Sequence, residues 1–283
     1  MFDAINQPLS GLHSIEASAG TGKTHSITIL WLRLLVEASL PVEQILVSTF
    51  TRAATAELKE RLHATLQRAL AEADKACSPA SQAEEKPSEE LKVLLKAIDI
   101  DPTKRSSTTL SKALSSFDLA PIFTIHGFCQ TLIGRHALEL GCDPQLHLIE
   151  SNSTLLEELV SDTVMEFADR QTPDPSKLPC ALRKIAETVA ARDQATVLVD
   201  PDSPSEALIR RIQKELPERK AAAGVRTFDD ILITVRDALR SQGNDGPLAK
   251  SVRKRLSAAI IDECQDSDTT QIEVFQSLFN HAD

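Results

Sequence analysis

The feature that most constrains the fold of this chain is a glycine-containing loop at residues 17–24, which reads Ala-Ser-Ala-Gly-Thr-Gly-Lys-Thr. Glycines let a backbone turn its N–H groups inward and let a ligand approach closely, because they carry no Cβ. A lysine and a threonine directly after the last glycine are the residue types that bind nucleotide phosphates and their Mg²⁺. The loop therefore predicts a phosphate site, although Ala17 stands where the strict pattern has glycine.

The residues on either side of the loop predict the strand and helix that such a site requires. Leu12–Glu16 has the length and character of a short strand, and apolar residues from Ile27 to Leu35 recur at helical spacing. A helix that begins at the loop adds the positive end of its dipole. The candidate nucleotide-binding residues are Ala17, Ser18, Ala19, Gly20, Thr21, Gly22, Lys23 and Thr24.

A second candidate segment, Ile260–Asp266, ends an apolar run with adjacent carboxylates. If the run is a strand, its end lies at the carboxyl edge of the sheet, where open α/β folds bind ligands. Asp262 and Thr24 can then hold Mg²⁺, while Glu263 activates the attacking water and Gln265 senses the γ-phosphate. We therefore predict a site for ATP and Mg²⁺ whose catalytic candidates are Lys23, Glu263 and Gln265. Cys264 is expected to be a small buried residue without thiol chemistry.

Composition limits the function class and the compartment. A net charge of −10 argues against a chain that coats itself in nucleic acid, although a local DNA groove is not excluded. The absence of tyrosine and the small number of aromatic residues argue against broad base-stacking platforms. The five cysteines are scattered, no apolar run is long enough to span a bilayer, and the start of the chain does not resemble a secretory signal. We therefore expect a reduced, cytoplasmic protein that has no membrane partner.

Four apolar stretches, each followed by helical patterns, predict an α/β fold with a mostly parallel sheet and helices on both faces. The stretches are Leu12–Glu16, Ile45–Phe50, Ile122–Ile125 and Ala258–Asp262. Residues 73–116 are rich in Glu, Lys, Ser and Pro, which predicts a solvated insertion with one helix near Glu89–Ile98. Gly141–Gly224 has only helical patterns and predicts an inserted all-helical subdomain.

Five segments in this order resemble the motifs of the superfamily 1 DNA helicases related to UvrD. They are Ile15–Thr24, Ser48–Arg61, Phe123–Gln130, Thr227–Leu232 and Ile261–Gln271, and within that family they are most similar to the exodeoxyribonuclease V beta subunits. The resemblance implies a P-loop NTPase with a RecA-like sheet. Residues 1–140 and 225–283 would form RecA-like domain 1A, and residues 141–224 would form helical subdomain 1B.

The resemblance also implies a function. It implies an ATP-dependent helicase and exonuclease subunit that acts on single-stranded or double-stranded DNA ends in double-strand break repair and recombination, with the gamma and alpha subunits as partners. DNA contacts would come from Phe50, Thr51 and Arg52 in one loop and from Thr124 and His126 in another. The family's second motor domain and nuclease domain would lie outside these 283 residues. We therefore expect a fragment that binds Mg²⁺–ATP weakly, hydrolyses it very slowly and does not unwind DNA.

Two other function classes stay open at this point. A small kinase or a stand-alone P-loop ATPase would share the loop, but a kinase needs an acceptor pocket and a lid with arginines, which the sequence does not show. A nucleotide-regulated assembly module could instead use the helical subdomain to dock partner subunits. From the residues alone, Arg52 and His126 fit a DNA contact and an ordinary structural role equally well.

Overall fold

A computed structural model describes residues 3–15, 22–76, 105–142, 147–167, 178–190, 199–264 and 268–279. Its helices are α1 (Lys23–Val36), α2 (Arg52–Ala76), α3 (Arg105–Ser115), α4 (Ile125–Leu140), α5 (Ser153–Phe167), α6 (Leu178–Ala190), α7 (Pro204–Ala223), α8 (Phe228–Gln242), α9 (Pro247–Arg255) and α10 (Thr269–Phe279). Its strands are β1 (Ile45–Thr49), β2 (Ile122–Thr124), β3 (His147–Leu148), β4 (Val225–Arg226) and β5 (Ala258–Ile261). Three groups of predicted features lie outside the described residues: the helix near Glu89–Ile98, the loop residues Ala17, Ser18, Ala19, Gly20 and Thr21, and Gln265.

The chain divides by its contacts into two units. Unit 1 is Met1–Leu140 with Val235–Asp283, and unit 2 is Gly141–Thr234. None of the helices in the described ranges combines the length and the apolar character that a membrane span requires. The assignment of the two units to helicase domains 1A and 1B stays a prediction.

Unit 1 contains a three-stranded parallel sheet in the order β2-β1-β5. The central strand β1 is buried at all five positions, as a parallel strand covered on both faces should be. Helices α1, α2 and α3 contribute to the same core through Trp31, Leu62 and Leu110, each of which is fully buried. The predicted parallel strands at Ile45, Ile122 and Ala258 are therefore confirmed.

The predicted strand at Leu12–Glu16 is wrong over its described residues. Leu12 to Ile15 lie in coil, and Leu12 is 68% exposed. The His13 ring binds locally, with its nitrogens 2.6 Å from the Gln7 side chain and 2.7 Å from the Ser10 carbonyl. These contacts compete with strand pairing, because they hold residues 7–13 in a local arrangement.

The predicted solvated insertion at residues 73–116 is also wrong over part of its length. Residues 105–115 form α3, which places fully buried Leu110 and 5%-exposed Ala113 in the core with α1 and α2. The helix is easy to miss because its apolar face is narrow and most of its residues are Ser, Thr, Lys or Arg.

Unit 2 consists mainly of α5, α6 and α7, which share one apolar core that includes Leu159, Leu182 and Leu208. Ser203 caps α7 by accepting a hydrogen bond from the Glu206 N–H, and Pro204 occupies the first turn. The expectation of an all-helical subdomain is wrong in one detail, because β3 and β4 form a short parallel pair. Two-residue strands leave no alternation that a sequence pattern could reveal.

Candidate nucleotide-binding site

The first part of the site is the N-terminus of α1. Gly22 precedes the helix with a φ of 85°, a left-handed conformation in which a residue with a side chain would be strained. Its carbonyl accepts the first helical hydrogen bond, from Ser26 N at 2.9 Å. Lys23 is the first helical residue, and no acidic residue lies in the first turn. The positive end of the α1 dipole is therefore not neutralised within its own helix, which favours an anion there.

The second part of the site is the chain that leaves β5. Asp262 continues the pairing with β1, because its N–H donates to the Ser48 carbonyl at 2.8 Å. Its Oδ1 then accepts a hydrogen bond from the Glu263 N–H at 2.9 Å. Glu263 has a φ of 55°, a left-handed conformation that costs a non-glycine residue about 1–2 kcal/mol. A sharp turn thus follows the strand directly at the two carboxylates.

These two parts meet through an ion pair. Lys23 Nζ lies 3.3 Å from Glu263 Oε2, although the residues are 240 positions apart in sequence. Their side chains are 26% and 37% exposed. A pair this accessible to water contributes little to stability, so a ligand with higher charge density can separate it.

The electrostatics of Asp262 fit a divalent cation. Partial burial raises the pKa of the Asp262 carboxyl, and the neighbouring Glu263 charge raises it further; the Glu263 N–H and the Lys23 charge act in the opposite direction. The repulsion between two adjacent carboxylates is relieved by a cation, and carboxylate and hydroxyl oxygens are ligands that Mg²⁺ prefers. Thr24, half-buried in the first turn of α1, offers such a hydroxyl.

Within the described ranges, no group of three or more His, Cys, Asp or Glu side chains could hold a metal on its own. A Mg²⁺ ion at this site would therefore take most of its ligands from phosphates and water, as is usual for Mg²⁺ bound with a nucleotide. The residues present fit a phosphate-bound magnesium ion better than a permanent structural metal.

The interpretation of Cys264 as a buried residue is wrong, because the structure exposes it. The strand ends at Ile261, and the left-handed turn at Glu263 takes the chain away from the strand before Cys264. Its thiol thus lies on the surface one residue from the ion pair.

The candidate DNA-binding residues lie at the ends of two neighbouring strands. Thr49 of β1 is paired with Thr124 of β2, so the β1–α2 and β2–α4 junctions are adjacent at one sheet edge. Phe50 is 47% exposed, and Thr51 and Arg52 are exposed beside it. This edge presents an aromatic ring and a guanidinium together, which are groups that contact bases and phosphates.

Two of these candidates also have a structural role. The Thr51 hydroxyl accepts a hydrogen bond from Ala54 N at 3.0 Å, and the Thr124 hydroxyl accepts one from Gly127 N at 3.1 Å. Each threonine therefore caps a helix that starts at the sheet edge. His126 is half-buried at the start of α4.

Comparison with known proteins identifies the family. The model of the UvrD/REP helicase N-terminal domain matches residues 2–283. The chain belongs to the UvrD/REP helicase family. Members of this family use ATP with Mg²⁺ to drive DNA helicase activity, which agrees with the chemistry of the Lys23, Asp262 and Glu263 side chains.

The chain is similar in sequence to RecB proteins. The chain is 34% identical over 277 residues to RecBCD enzyme subunit RecB of Mycolicibacterium smegmatis, which covers 94% of this chain and 24% of that protein. It is 39% identical over 169 residues to RecBCD enzyme subunit RecB of Escherichia coli, which covers 57% of this chain and 14% of that protein. The chain therefore spans at most about a quarter of the length of these relatives.

One buried side chain in this helicase domain, Arg33 of α1, was not predicted from the sequence. Its Nη1 donates to the carbonyls of Ala4 at 2.8 Å and Gln7 at 2.7 Å, while Nε and Nη2 bind both carboxylate oxygens of Glu37. Arg33 is 7% exposed, so it ties the start of the chain to the helix that carries Lys23. The spacing of Arg33 and Glu37 by four residues was the one sequence signal available.

Proposed function

We propose that this chain is the ATP-binding region of a RecB-type DNA helicase motor, with unit 1 as RecA-like domain 1A and unit 2 as subdomain 1B. The observation that carries the proposal is the 3.3 Å contact between Lys23 and Glu263, which joins a phosphate-type loop to an acidic strand end. Membership of the UvrD/REP helicase family supports it.

In this proposal the side chains divide the work on ATP. Residues 17–22 and Lys23 bind the phosphates, Thr24 and Asp262 hold Mg²⁺, and Gln265 senses the γ-phosphate. The Mg²⁺ ion, when bound with ATP, neutralises charge on the phosphate oxygens. Phosphate contact draws Lys23 away from Glu263, whose carboxylate is then able to accept a proton from the attacking water. The ion pair thus keeps the base occupied until nucleotide arrives.

The proposal extends to DNA through the neighbouring sheet edge. Phe50, Thr51 and Arg52 would contact one part of a single strand, and Thr124 and His126 another. The N-termini of α2 and α4 add two positive dipole ends that suit backbone phosphates. Nucleotide and DNA would thus act on one sheet, since β1 lies between β2 and β5.

The names of the relatives suggest the wider setting. They are subunits of the RecBCD enzyme. We propose that the protein acts likewise in the cytoplasm, on DNA ends in double-strand break repair and recombination, together with gamma and alpha subunits. We assign none of the described residues to the nuclease activity of such a complex.

The nucleotide part is tested by titrating the chain with a fluorescent, non-hydrolysable ATP analogue. Lys23→Ala should weaken binding at least about tenfold, because a hydrogen bond to a charged group contributes about 1.5–3 kcal/mol. Lys59→Ala is the matched control, because Lys59 is exposed and forms a surface ion pair with Asp118 at 3.9 Å. Equal losses in both variants would rule out a specific role for Lys23.

The DNA part is tested with a labelled single-stranded oligonucleotide. Arg52→Ala should weaken its binding and leave nucleotide affinity unchanged. Arg68→Ala, on the same helix but about 24 Å further along at 1.5 Å per residue, is the matched control. Loss of nucleotide affinity together with DNA affinity in Arg52→Ala would show that Arg52 is structural.

A further inference from the structure

Unit 2 contains a groove of about 360 Å³ whose lining includes none of the residues assigned above to nucleotide or DNA. It lies between the start of α5, the end of α6 and the start of α8 at Thr227–Asp229. The buried side chains of Leu156, Val160 and Ala186 contribute its apolar surface. This volume is at the small end of the range for ligand pockets, so it suits a few side chains.

The rim of the groove is acidic. Glu150, Glu157, Glu187 and Asp229 line it and are exposed. Among the described residues of the lining, Arg183 is the one basic side chain, and it is paired with Glu157 at 2.7 Å. The lining therefore has a net negative charge, which repels the phosphates of nucleic acids and nucleotides.

The fold explains some of these carboxylates but not Glu187. Asp229 lies in the first turn of α8, where negative charge is favourable, and Glu157 is paired with Arg183. Glu187 lies in the last turn of α6, where negative charge is unfavourable and where that turn holds no basic residue. A cation bound in the groove would offset this charge.

We propose that this groove docks a basic segment of a partner protein, in which aliphatic side chains are flanked by lysine or arginine. The aliphatic side chains enter between Leu156, Val160 and Ala186, and the flanking cations face Glu150 and Glu187. Complementary charge around an apolar contact supplies specificity and fast association. The occupant is therefore protein and not DNA, which distinguishes this surface from the sheet edge of unit 1.

The experiment uses the whole chain and a fluorescein-labelled peptide, Lys-Arg-Leu-Leu-Lys-Arg, with fluorescence anisotropy as the measurement. One comparison peptide has serine in place of leucine at unchanged charge, and another has glutamate in place of the basic residues. The first peptide should bind, and both comparison peptides should bind at least about fivefold more weakly. The serine peptide loses the apolar contact, and the glutamate peptide loses the attraction to the acidic rim.

Charge reversal of the protein locates the site. Glu187→Lys should weaken binding about fivefold or more, by loss of an exposed ion pair and gain of repulsion. Glu218→Lys makes the same change of charge on α7 at an exposed position outside the groove, and it should change binding less than about twofold. Glu150→Lys should repeat the effect of Glu187→Lys, and equal thermal unfolding of all variants checks their folding.

Three results would overturn the proposal. The serine peptide could bind as tightly as the leucine peptide, or Glu218→Lys could weaken binding as much as Glu187→Lys. Either result would mean that the basic peptide binds by non-specific attraction to the acidic protein and not in the groove. Alternatively, a single-stranded oligonucleotide could displace the peptide while Glu187→Lys strengthens oligonucleotide binding, which would make nucleic acid the occupant.

Discussion

Replacement of Glu263 by glutamine should tighten nucleotide binding, even though it removes the candidate catalytic base. Without nucleotide, the Glu263 carboxylate is 3.3 Å from the Lys23 ammonium, so a triphosphate has to separate them before it contacts Lys23. Glutamine has nearly the same shape but no charge. The variant therefore has no ion pair to break, and one negative charge fewer faces the phosphates.

The size of the effect follows from the exposure of the pair. The two side chains are 26% and 37% exposed, so water screens their attraction. Such accessible pairs contribute about 0.2–1 kcal/mol, which corresponds to an increase in affinity of roughly 1.4-fold to fivefold. Loss of repulsion between the carboxylate and the γ-phosphate acts in the same direction. The difference in affinity between the variant and the original protein should shrink as salt is added, because salt screens both the ion pair and the repulsion.

The assay is an equilibrium titration with a fluorescent ATP analogue that cannot be hydrolysed, so that the loss of hydrolysis in the variant does not affect it. Glu60→Gln removes the same charge from an exposed position of α2 and serves as the control. Trp31, the single tryptophan, is fully buried in α1, and its emission reports whether the helix behind Lys23 stays packed.

Unchanged or weaker binding by Glu263→Gln, with normal tryptophan emission, would refute this reasoning. It would mean that the ion pair does not compete with nucleotide, and that Glu263 helps to hold the ligand rather than to exclude it.

Two further predictions concern the carboxyl of Asp262 and the thiols of Cys129 and Cys264. Because burial and Glu263 raise the pKa of Asp262, the folded protein binds that proton more tightly than the unfolded chain does; stability should therefore fall as pH rises from the ordinary carboxyl pKa through the raised one. Urea unfolding of nucleotide-free Asp262→Asn should lack this decline, and an equal decline in the variant would contradict it. Burial raises the pKa of the Cys129 thiol to about 12, so iodoacetamide should leave it unmodified in the native protein. Exposed Cys264 should be modified, and Mg²⁺ with the ATP analogue should slow that reaction, as mass spectrometry of the peptides would show.

The parts of the fold that the sequence predicts well are those with a continuous signal. The strand at Ile45–Thr49 is apolar enough along its length to be read as buried, and the spacing of Leu58, Leu62 and Leu66 indicates the face of α2. The juxtaposition of Lys23 with the Asp262 segment could be anticipated from the residue types of the two segments, although the strand expected before the loop is coil over residues 12–15.

The parts that could not be predicted depend on contacts made after folding. The sequence of α3, which is rich in Ser and Thr, does not indicate that Leu110 packs in one core with α1 and α2. The left-handed turn at Glu263, which exposes Cys264, is a conformation that glutamate rarely adopts. The local hydrogen bonds of His13 disfavour a strand at Leu12, and no sequence pattern indicates that they form.

The buried guanidinium of Arg33 has a practical consequence for anyone who shortens this protein. Deletion of the first seven residues would remove the Ala4 and Gln7 carbonyls that accept hydrogen bonds from its Nη1. Loss of hydrogen bonds to a charged group destabilises the helix that carries it, and Lys23 lies at the other end of that helix. A shortened chain would therefore weaken the support of Lys23 without changing any residue near the phosphates.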